Sequence, residues 1–409
     1  MAQSSPRVIP IVSQTDRQRQ LDLRHGQRLS ALPPLSLYIH VPWCLKKCPY
    51  CDFNSHQAPQ TLPENEYLAA LTQDLDQALP LVWGRQIHTV FIGGGTPSLL
   101  SERALDQLLA TVRARLHLWP DAEITLEANP GAAEADRFAA YARSGVNRIS
   151  LGIQSFNDAH LAALGRVHDA KQACQAVEMA SHAVSRVNLD LMYGLPEQSL
   201  TDCLNDLKRA AEFNTEHLSL YQLTLEPQTV FAKYPPVLPD EAVIEDMEQA
   251  IVQTVVHSGW QRYEVSAYAK PGSECRHNLN YWTFGDYLGI GPGAHSKISF
   301  PDRIIRQART RSPEQWMQAC ARLDESHITE QRLLSDEDLP FEFFLNALRL
   351  CDGVAARLFT DHTGLPLSLI EPTIEAAQQK GLIKVTDGVI APTTWGLRHL
   401  NELQALFLD

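Results

Sequence analysis

Short apolar runs separated by amphipathic stretches dominate the first half of the chain. The amphipathic stretches at 66–79, 102–116 and 134–144 have the periodicity of helices. Six runs rich in β-branched and aromatic residues read as strands, at 35–41, 88–94, 123–129, 148–155, 187–194 and 217–224. Regular alternation of strand and helix predicts βαβ units and a parallel sheet. Because parallel crossovers are right-handed, six units give either an open doubly wound sheet or a partial barrel.

Polar residues and glycines at the predicted strand ends favour the barrel. A cysteine-rich loop follows the first strand, a triple glycine closes the second, and Glu127, Gln154 and Asp190 lie late in the next three. The C-terminal strand ends of a (β/α) barrel form one active-site rim, whereas an open sheet concentrates its site at one switch point. The sequence therefore predicts an α/β fold with a partial (β/α)6 barrel over residues 34–235.

The alternation ends after residue 235, and the remaining sequence predicts other domains. Residues 236–325 read as a region that connects or caps the barrel. Residues 326–409 give the order helix, helix, hairpin, helix, with Asp387-Gly388 at the hairpin turn, which predicts a mainly helical, winged-helix-like domain. Residues 1–33 are polar and lack periodicity, so we expect a mobile extension, although a start codon assigned too far upstream would give the same pattern.

Composition and charge narrow the function classes. The chain has 409 residues and a formal net charge of −13. Nucleic acid and anionic membranes attract clustered Lys and Arg, so the charge argues against nucleic-acid binding and leaves at most a peripheral membrane contact. No segment reaches the run of about eighteen apolar residues that a membrane span needs.

Cysteine spacing supplies the strongest chemical signal. Three of the eight cysteines, Cys44, Cys48 and Cys51, form a C-x3-C-x2-C motif. Three thiolates can hold three irons of a [4Fe–4S] cluster and leave the fourth iron open to a small molecule. The alternative is a structural zinc site, for which His40 or His56 could supply a fourth ligand. The other five cysteines are scattered singly, which is typical of a reduced, cytoplasmic protein.

Glycines and polar side chains predict a ligand at the same rim. Gly93-Gly94-Gly95-Thr96-Pro97 lets the backbone approach a ligand, although a tight strand-to-helix turn would need the same residues. Glu127, Gln154, Arg166 and Asp190 fall at or near strand ends. One such residue usually belongs to a structural hydrogen-bond network, but four at one rim predict a ligand with an amino group, a carboxylate and a ribose.

These motifs resemble the radical S-adenosylmethionine (SAM) superfamily. YIHVPWC, GGGTPS, EANP, GIQSF, DLMYGLP and GPGAHS are similar to the branch of oxygen-independent coproporphyrinogen III oxidases and their paralogues, from residue 35 to the C-terminus. The resemblance implies a [4Fe–4S] cluster on Cys44, Cys48 and Cys51, with SAM on its open iron. It also implies SAM contacts at Tyr38, Tyr50, Gly94, Gly95, Thr96, Glu127, Gln154, Arg166, Asp190 and Thr224.

Two features indicate the member of the branch. The oxidases carry another cysteine just after the third ligand, where this chain has Asp52-Phe53. Residues 277–282 match the H-N-x-x-Y-W motif of the HemW family of haem chaperones. The resemblance implies haem as cargo, with His277 as candidate iron ligand and Tyr281 as a partner for the porphyrin. The alternative for His277 is a loop histidine bonded to backbone.

The sequence thus predicts a radical-SAM-type haem chaperone that binds a [4Fe–4S] cluster, SAM and haem. Its expected partners are haem-acceptor proteins, together with an electron donor if SAM is cleaved. An oxygen-independent coproporphyrinogen III oxidase is the first alternative. An enzyme acting on another porphyrin-like substrate is the second.

Overall fold

The computed structural model describes residues 29–131 and 136–408 of the chain. These residues form two compact units. The barrel unit comprises Ser36–Thr72 and Gly84–Leu279, and the C-terminal unit comprises residues 29–35, 73–83 and 280–408. The predicted domain boundaries at 34, 236 and 326 stay predictions, and most of the predicted N-terminal extension lies outside the described residues.

The strands of the barrel unit form a mixed sheet. Its strands are β1 (Leu35–Val41), β4 (Gln86–Gly94), β5 (His117–Ala128), β6 (Arg148–Gln154), β7 (Arg186–Tyr193), β8 (His217–Gln222), β9 (Gln261–Arg262) and β10 (Ala267–Ala269), in the order β1-β4-β5-β6-β7-β8-β10-β9. The pairs from β4 to β8 are parallel, and β10 adds an antiparallel edge. A separate parallel pair, β2 (Trp43–Cys44) and β3 (His56–Gln57), brackets the cysteine loop.

Helices follow the strands in the order that the sequence predicts. They are α1 (Glu64–Val82), α2 (Glu102–Arg115), α3 (Phe138–Ser144), α4 (Asp158–Ala163), α5 (Ala170–Ala183), α6 (Leu200–Glu212), α7 (Val230–Lys233), α8 (Glu241–His257) and α9 (Arg276–Trp282). Polar caps fix where several begin: Ser101 accepts from the Ala104 N–H, and Asp169 and Ser199 each form a capping box.

The C-terminal unit combines an antiparallel sheet with helices. Its elements are β11 (Asp286–Ile290), β12 (His295–Ser299), β13 (Ile304–Arg309), α10 (Pro313–Cys320), β14 (Ile328–Leu333), α11 (Asp338–Ala347), β15 (Val354–Ala355), α12 (Arg357–Thr363), α13 (Glu371–Gln379), β16 (Ile383–Thr386), β17 (Val389–Pro392), α14 (Thr394–Arg398) and α15 (Leu400–Ala405). Asp387 and Gly388 both have positive φ, at 52° and 74°, which is the geometry of the predicted hairpin turn.

The α/β fold class, the strand–helix alternation and the mainly helical C-terminal domain are confirmed. The largest difference in a strand boundary is in β5, which begins six residues before the predicted 123. His117 and Leu118 pair with Gln86 and Ile87, but the register then shifts before Glu123 pairs with Thr89. Residues 119–122 lie in this irregularity, and Pro120 hides the strand in the sequence because proline is depleted in strands. The predicted helix 134–144 begins at Phe138, and residues 132–135 lie outside the described part.

One face of the barrel sheet is polar along its whole length. Alternate positions of six strands place hydroxyls, amides, carboxylates and guanidinium groups there, including Ser36, Thr89, Glu123, Arg148, Ser150, Asn188, Asp190 and Ser219. Asn188 Nδ2 donates to Ser150 Oγ at 2.8 Å and to Asp190 Oδ1 at 2.7 Å. The buried polar groups therefore satisfy one another across neighbouring strands, as burial in a low-dielectric interior requires.

Glu123 anchors α9 to this polar face. Its side chain is fully buried and forms an ion pair with Arg186, at 2.6 Å. The backbone N–H groups of Arg276 and His277, in the first turn of α9, donate to its two oxygens at 3.3 and 3.0 Å. A carboxylate at a helix N-terminus meets unpaired N–H groups and the positive end of the helix dipole, so Glu123 joins β5, β7 and α9 through one side chain.

We expect Glu123→Ala to lower the free energy of unfolding by about 3–5 kcal/mol, because Arg186, whose side chain is 21% exposed, loses its counter-charge and α9 loses its anchor. Urea-induced unfolding followed by circular dichroism measures this loss. The matched control is Asp121→Ala, two residues earlier, whose pair with Arg276 is exposed. Exposed pairs are worth about 0–1 kcal/mol, so equal effects of the two changes would contradict the anchoring role.

Candidate functional site

The three motif cysteines lie together in the loop that leaves β1. Cys51 N–H donates to the Cys48 carbonyl at 3.2 Å, and Cys51 Sγ lies 3.8 Å from Ser55 Oγ. Burial raises the pKa of the Cys44 thiol, and negative charge at Cys51 and Cys48 raises it further. The three thiols thus lie near enough to repel one another as thiolates. Positive iron would remove this penalty, so the donor set fits a thiolate-bound cluster.

Arg166 joins the cysteine loop to the ends of β5 and β6. Its Nη1 donates to Cys48 Sγ at 3.5 Å, and its Nη2 donates to Asn129 Oδ1 at 2.6 Å and to the Gly152 carbonyl at 2.8 Å. Asn129 in turn donates through Nδ2 to Thr96 Oγ1 at 2.9 Å. One guanidinium therefore contacts three residues, from the cysteine loop and from the ends of β5 and β6, and one of them is the predicted cluster ligand Cys48.

The glycine segment packs too closely for larger residues. A Cβ on Gly94 would lie 2.5 Å from the ring of His40, and the φ of Gly94 is 115°. A Cβ on Gly95 would lie 2.6 Å from the carbonyl oxygen of Trp43. This close packing is what a tight strand-to-helix turn requires. Whether the glycine segment also contacts a ligand stays a prediction. Gly94 N–H donates to Glu127 Oε2 at 2.9 Å.

The carboxyl groups of Glu127 on β5 and Asp190 on β7 lie near enough for the charge of Asp190 to act on Glu127. Burial raises the pKa of Glu127 to about 7, and the neighbouring charge of Asp190 adds to this shift. Burial also raises the pKa of Asp190, against hydrogen bonds from Asn188 and Ser150 that stabilise its charge. Both groups are only partly covered, so they can meet a ligand. A cationic ligand group placed between them would favour the ionised form of both.

Gln154 adopts a strained backbone at the end of β6. Its φ is 69°, in the left-handed region that residues other than glycine rarely occupy. The next two residues are held by Asp206, which accepts from Ser155 Oγ and from Phe156 N–H, each at 2.7 Å. Strain that the surrounding structure maintains is typical of binding and active sites, because it aims a side chain in a fixed direction.

The remaining predicted SAM contacts lie on the same unit. Tyr38 lies on β1, where its hydroxyl forms a hydrogen bond with His40 Nδ1 at 3.0 Å and its ring stacks on Phe91. Tyr50, in the cysteine loop, packs against Phe231. Thr224 is exposed beyond the end of β8, where its hydroxyl donates to Glu226 at 2.7 Å. Whether these side chains contact SAM stays a prediction.

The predicted haem residues lie elsewhere on the polypeptide. His277 is buried, with 1% of its surface exposed, and its Nδ1 lies 2.7 Å from Thr89 Oγ1. Its ring packs 5.0 Å from that of Phe91, and burial lowers its pKa to about 3. Tyr281, in the C-terminal unit, is half-buried against Tyr287. One partner of the His277 ring is thus the Thr89 side chain, and the role of His277 as a haem ligand stays a prediction.

Sequence reasoning missed several residues that organise the rim. Asn129 bridges Thr96 and Arg166, and its position within Glu-Ala-Asn-Pro was the available signal. His40 was considered only as a zinc ligand, yet it contacts Tyr38 and, through Nε2, the Asn54 carbonyl at 2.8 Å. Asp206 gave no signal, because it lies in α6, about fifty residues after the turn that it holds.

None of the helices in the described part of the chain combines the length and apolar character needed to cross a membrane.

Comparison with known proteins supports the radical SAM resemblance. Residues 38–210 match the Radical SAM superfamily, and residues 334–399 match the HemN C-terminal domain. The solved structure of coproporphyrinogen III oxidase (HemN) from Escherichia coli, described as a radical SAM enzyme, superposes with a TM-score of 0.78 at 25% identity. That match covers 97% of this chain and 93% of the oxidase.

Relatives of high identity indicate which family within the radical SAM superfamily contains this chain. The protein described as heme chaperone HemW in Escherichia coli K12 is 50% identical over 92% of this chain and 99% of its own length. The protein of that description in Haemophilus influenzae is 46% identical over 92% of this chain and 98% of its own length. Because these identities extend over nearly the whole of both chains, the chain belongs to the HemW family of the radical SAM superfamily.

Proposed function

We propose that the protein is a radical-SAM-type haem chaperone. It would bind a [4Fe–4S] cluster through Cys44, Cys48 and Cys51, bind SAM at the rim, and carry haem to haem-acceptor proteins. The observation that carries this proposal is the 50% identity to a heme chaperone over 99% of that protein's length. Location in the cytoplasm and an electron donor, if SAM is cleaved, belong to the same proposal.

The rim supports SAM as the ligand of the open iron. SAM carries an ammonium group, a sulfonium and a carboxylate. Glu127 and Asp190 offer negative charge for the cationic groups, and Arg166 offers a guanidinium for the carboxylate. A cluster held by Cys44, Cys48 and Cys51 would supply, when reduced, one electron for reductive cleavage of the SAM sulfonium. The residues of this chain would orient SAM and exclude water around it.

Haem ligation by His277, with Tyr281 as a partner for the porphyrin, is part of the proposal, with a structural condition. The two residues lie four positions apart on α9, so helical geometry places them on neighbouring turns. Burial keeps the His277 imidazole neutral, which is the form that ligates iron. Because the ring is enclosed between Thr89 and Phe91, haem could reach it only if α9 moved.

The second candidate function is oxygen-independent coproporphyrinogen III oxidation, the oxidative decarboxylation of two propionates. The likeness to the HemN structure, at a TM-score of 0.78, favours it. Asp52-Phe53 in place of the cysteine expected after the third ligand argues against it.

We expect Cys48→Ser to remove the cluster, because a serine hydroxyl replaces one of three thiolates and Arg166 loses its sulfur partner. Absorbance and iron content after anaerobic reconstitution measure the loss. Cys174→Ser, a half-exposed cysteine outside the loop, is the control. Full iron content in Cys48→Ser would refute the ligand assignment.

We expect SAM to bind more tightly as the pH rises through 7. The raised pKa of Glu127 leaves its carboxyl largely protonated at pH 6 and ionised at pH 8, and only the ionised form attracts an ammonium group. Affinity, measured by calorimetry, should rise about tenfold over this interval. Glu127→Gln should bind weakly and without this pH dependence, whereas exposed Glu102→Gln should match the wild type. An unchanged pH profile in Glu127→Gln would remove Glu127 from the SAM site.

Parallel assays on one reconstituted preparation distinguish the two functions. A chaperone should give a saturable Soret change on titration with haem and no turnover of coproporphyrinogen III in the presence of SAM and reductant. Formation of protoporphyrinogen IX would establish the oxidase instead. His277→Ala should weaken haem binding if that imidazole ligates the iron, and full haem binding by this variant would exclude the role.

A further inference from the structure

A groove opens at the N-terminal end of the parallel strands, at the opposite end of β5 from Glu127. It lies between the end of α2, the start of β5 and the turn from α3 to β6, and its volume is about 680 Å³. That volume falls within the range of about 300–1,000 Å³ found for ligand-binding clefts. We call it the basic groove, and its lining includes Arg113, Arg115, Leu116, His117, Trp119 and Asn147.

The charge of the basic groove is opposite to that of the whole chain. Its lining contains the cations Arg113 and Arg115 together with His117, and among the described residues none that lines it is acidic. The whole chain has a net charge of −13. A concave surface that carries one sign of charge attracts ligands of the other sign, so the basic groove favours an acidic ligand.

Arg113 is held in place more firmly than the end of a helix requires. Basic residues are common in a last helical turn, where they stabilise the helix dipole, and α2 ends at Arg115. Arg113 Nη2 also donates to the Ser144 carbonyl at 2.7 Å, and a Cβ on Gly145 would lie 2.0 Å from this nitrogen. That bond uses one of the five N–H donors of an exposed guanidinium, so a carboxylate meets a cation that is already oriented.

Trp119 gives the basic groove an exposed aromatic side chain. Its ring stacks on that of His88, with the ring centroids 5.1 Å apart, and the residue is nevertheless 42% exposed. Tryptophan and arginine are the residues that most often carry the binding energy at protein interfaces. The groove presents both types within a few residues of one another, which is typical of a surface that binds a polypeptide.

The β5 backbone beside the groove lacks a neighbouring strand on one side. Among the described residues, β6 pairs with β5 only from Thr125 onward. Asn147 extends this cover to Ala122, because its Nδ2 donates to the Ala122 carbonyl and its Oδ1 accepts from the Ile124 N–H, each at 2.8 Å. Residues 117–121 therefore form a strand edge on the β6 side. An extended polypeptide can add to such an edge, whereas a compact ligand cannot.

The same segment of β5 contacts the start of α9. Arg276 Nη2 donates to the Asp121 carbonyl at 2.5 Å, and Arg276 Nη1 donates to Asp121 Oδ2 at 3.4 Å. Asp121 is thus an acidic neighbour of the groove whose charge is already paired. His277, the proposed haem ligand, is the next residue of α9. A partner docked in the basic groove would therefore lie beside the helix that has to move for haem to reach His277.

We propose that the basic groove docks an extended acidic segment of the haem-acceptor protein. Carboxylates of this segment pair with Arg113 and Arg115, an apolar side chain packs on Trp119, and the backbone follows the edge of β5. The proposal rests on the haem-carrying function above and gives the chemistry of the partner that receives the haem. Docking at this groove places the acceptor against the first residue of α9.

The test uses a labelled eight-residue peptide of alternating Glu and Phe, added to the reconstituted full-length protein and followed by fluorescence anisotropy. The wild type should bind it at least about tenfold more tightly than the same peptide with Gln in place of Glu. Arg113→Gln combined with Arg115→Gln should weaken binding of the acidic peptide by a similar factor. Arg103→Gln combined with Lys208→Gln removes the same charge at exposed positions outside the groove and should have no effect.

A steric variant keeps the test decisive if the charge variant disturbs the end of α2. Ala114 is exposed and lines the groove, so Ala114→Trp should block the peptide without removing a cation. Ala110→Trp, one turn earlier at an exposed position of α2, is the matched control and should bind the peptide like the wild type. Circular dichroism and iron content establish that the fold and the cluster of each variant are intact.

Peptide binding should also affect haem, because the groove and α9 are in contact. Saturating acidic peptide should lower the affinity of the wild type for ferric haem by about fivefold or more, measured by titration of the Soret band. Ala114→Trp should bind haem with the same affinity whether or not the peptide is present.

Three outcomes would overturn the proposal. Equal affinity for the acidic and the Gln peptide, or wild-type peptide affinity in both groove variants, would remove the docking site. Binding of ATP that both groove variants lose, without binding of the peptide, would make the groove a nucleotide site. Peptide binding with no effect on haem affinity would exclude the haem acceptor as the partner. Failure of the wild type to bind haem, with peptide binding intact, would instead refute the proposed function.

Discussion

The ion pair between Glu123 and Arg186 is the interaction on which the barrel unit depends. The carboxylate of Glu123 on β5 is fully buried, and the guanidinium of Arg186 on β7 supplies the counter-charge that makes this burial tolerable. The remaining acceptor capacity of Glu123 is used by the first N–H groups of α9. The strand region 123–128 is therefore held at its N-terminal end by charge, while its C-terminal end carries Glu127 to the rim.

Along the same strands, polar side chains near the N-terminal ends stabilise the protein, whereas those near the C-terminal ends are available to a ligand. Toward the N-terminal strand ends, Glu123, Arg186 and Asn188 find partners within the protein. Toward the C-terminal ends, Glu127 and Asp190 have raised pKa values, because burial is not fully offset by hydrogen bonds. A raised pKa of this kind marks carboxyl groups whose ionised form a cationic ligand would stabilise more than the protein does. The candidate site is thus the part of the polar face where hydrogen bonds within the protein do not fully offset the burial of the carboxyl groups.

Placement of His277 changes how the H-N-x-x-Y-W motif is understood. In the sequence the histidine reads as an accessible haem ligand in a loop. In the structure it begins a helix that Glu123 holds against the polar face, and its ring contacts Phe91, which stacks on Tyr38 of the rim. His277 is therefore connected, through packed rings, to Tyr38, one of the proposed SAM contacts. In contrast to the buried ring of His277, large apolar side chains of the cysteine loop are exposed to solvent.

The sequence by itself determined the α/β class, the alternation of strands and helices, the hairpin at Asp387-Gly388 and the cysteine, glycine and carboxyl residues proposed to form the site. These follow from periodicity, turn chemistry and short motifs, which are local properties of the chain. Only the tertiary structure decided that Asn129 bridges Thr96 and Arg166, that Asp206 holds the strained turn after Gln154, and that His277 is buried. Such facts depend on contacts between residues far apart in sequence, and on the burial that sets pKa values and exposure. No local pattern records them, because a side chain's partners are fixed only when the strands are brought into register.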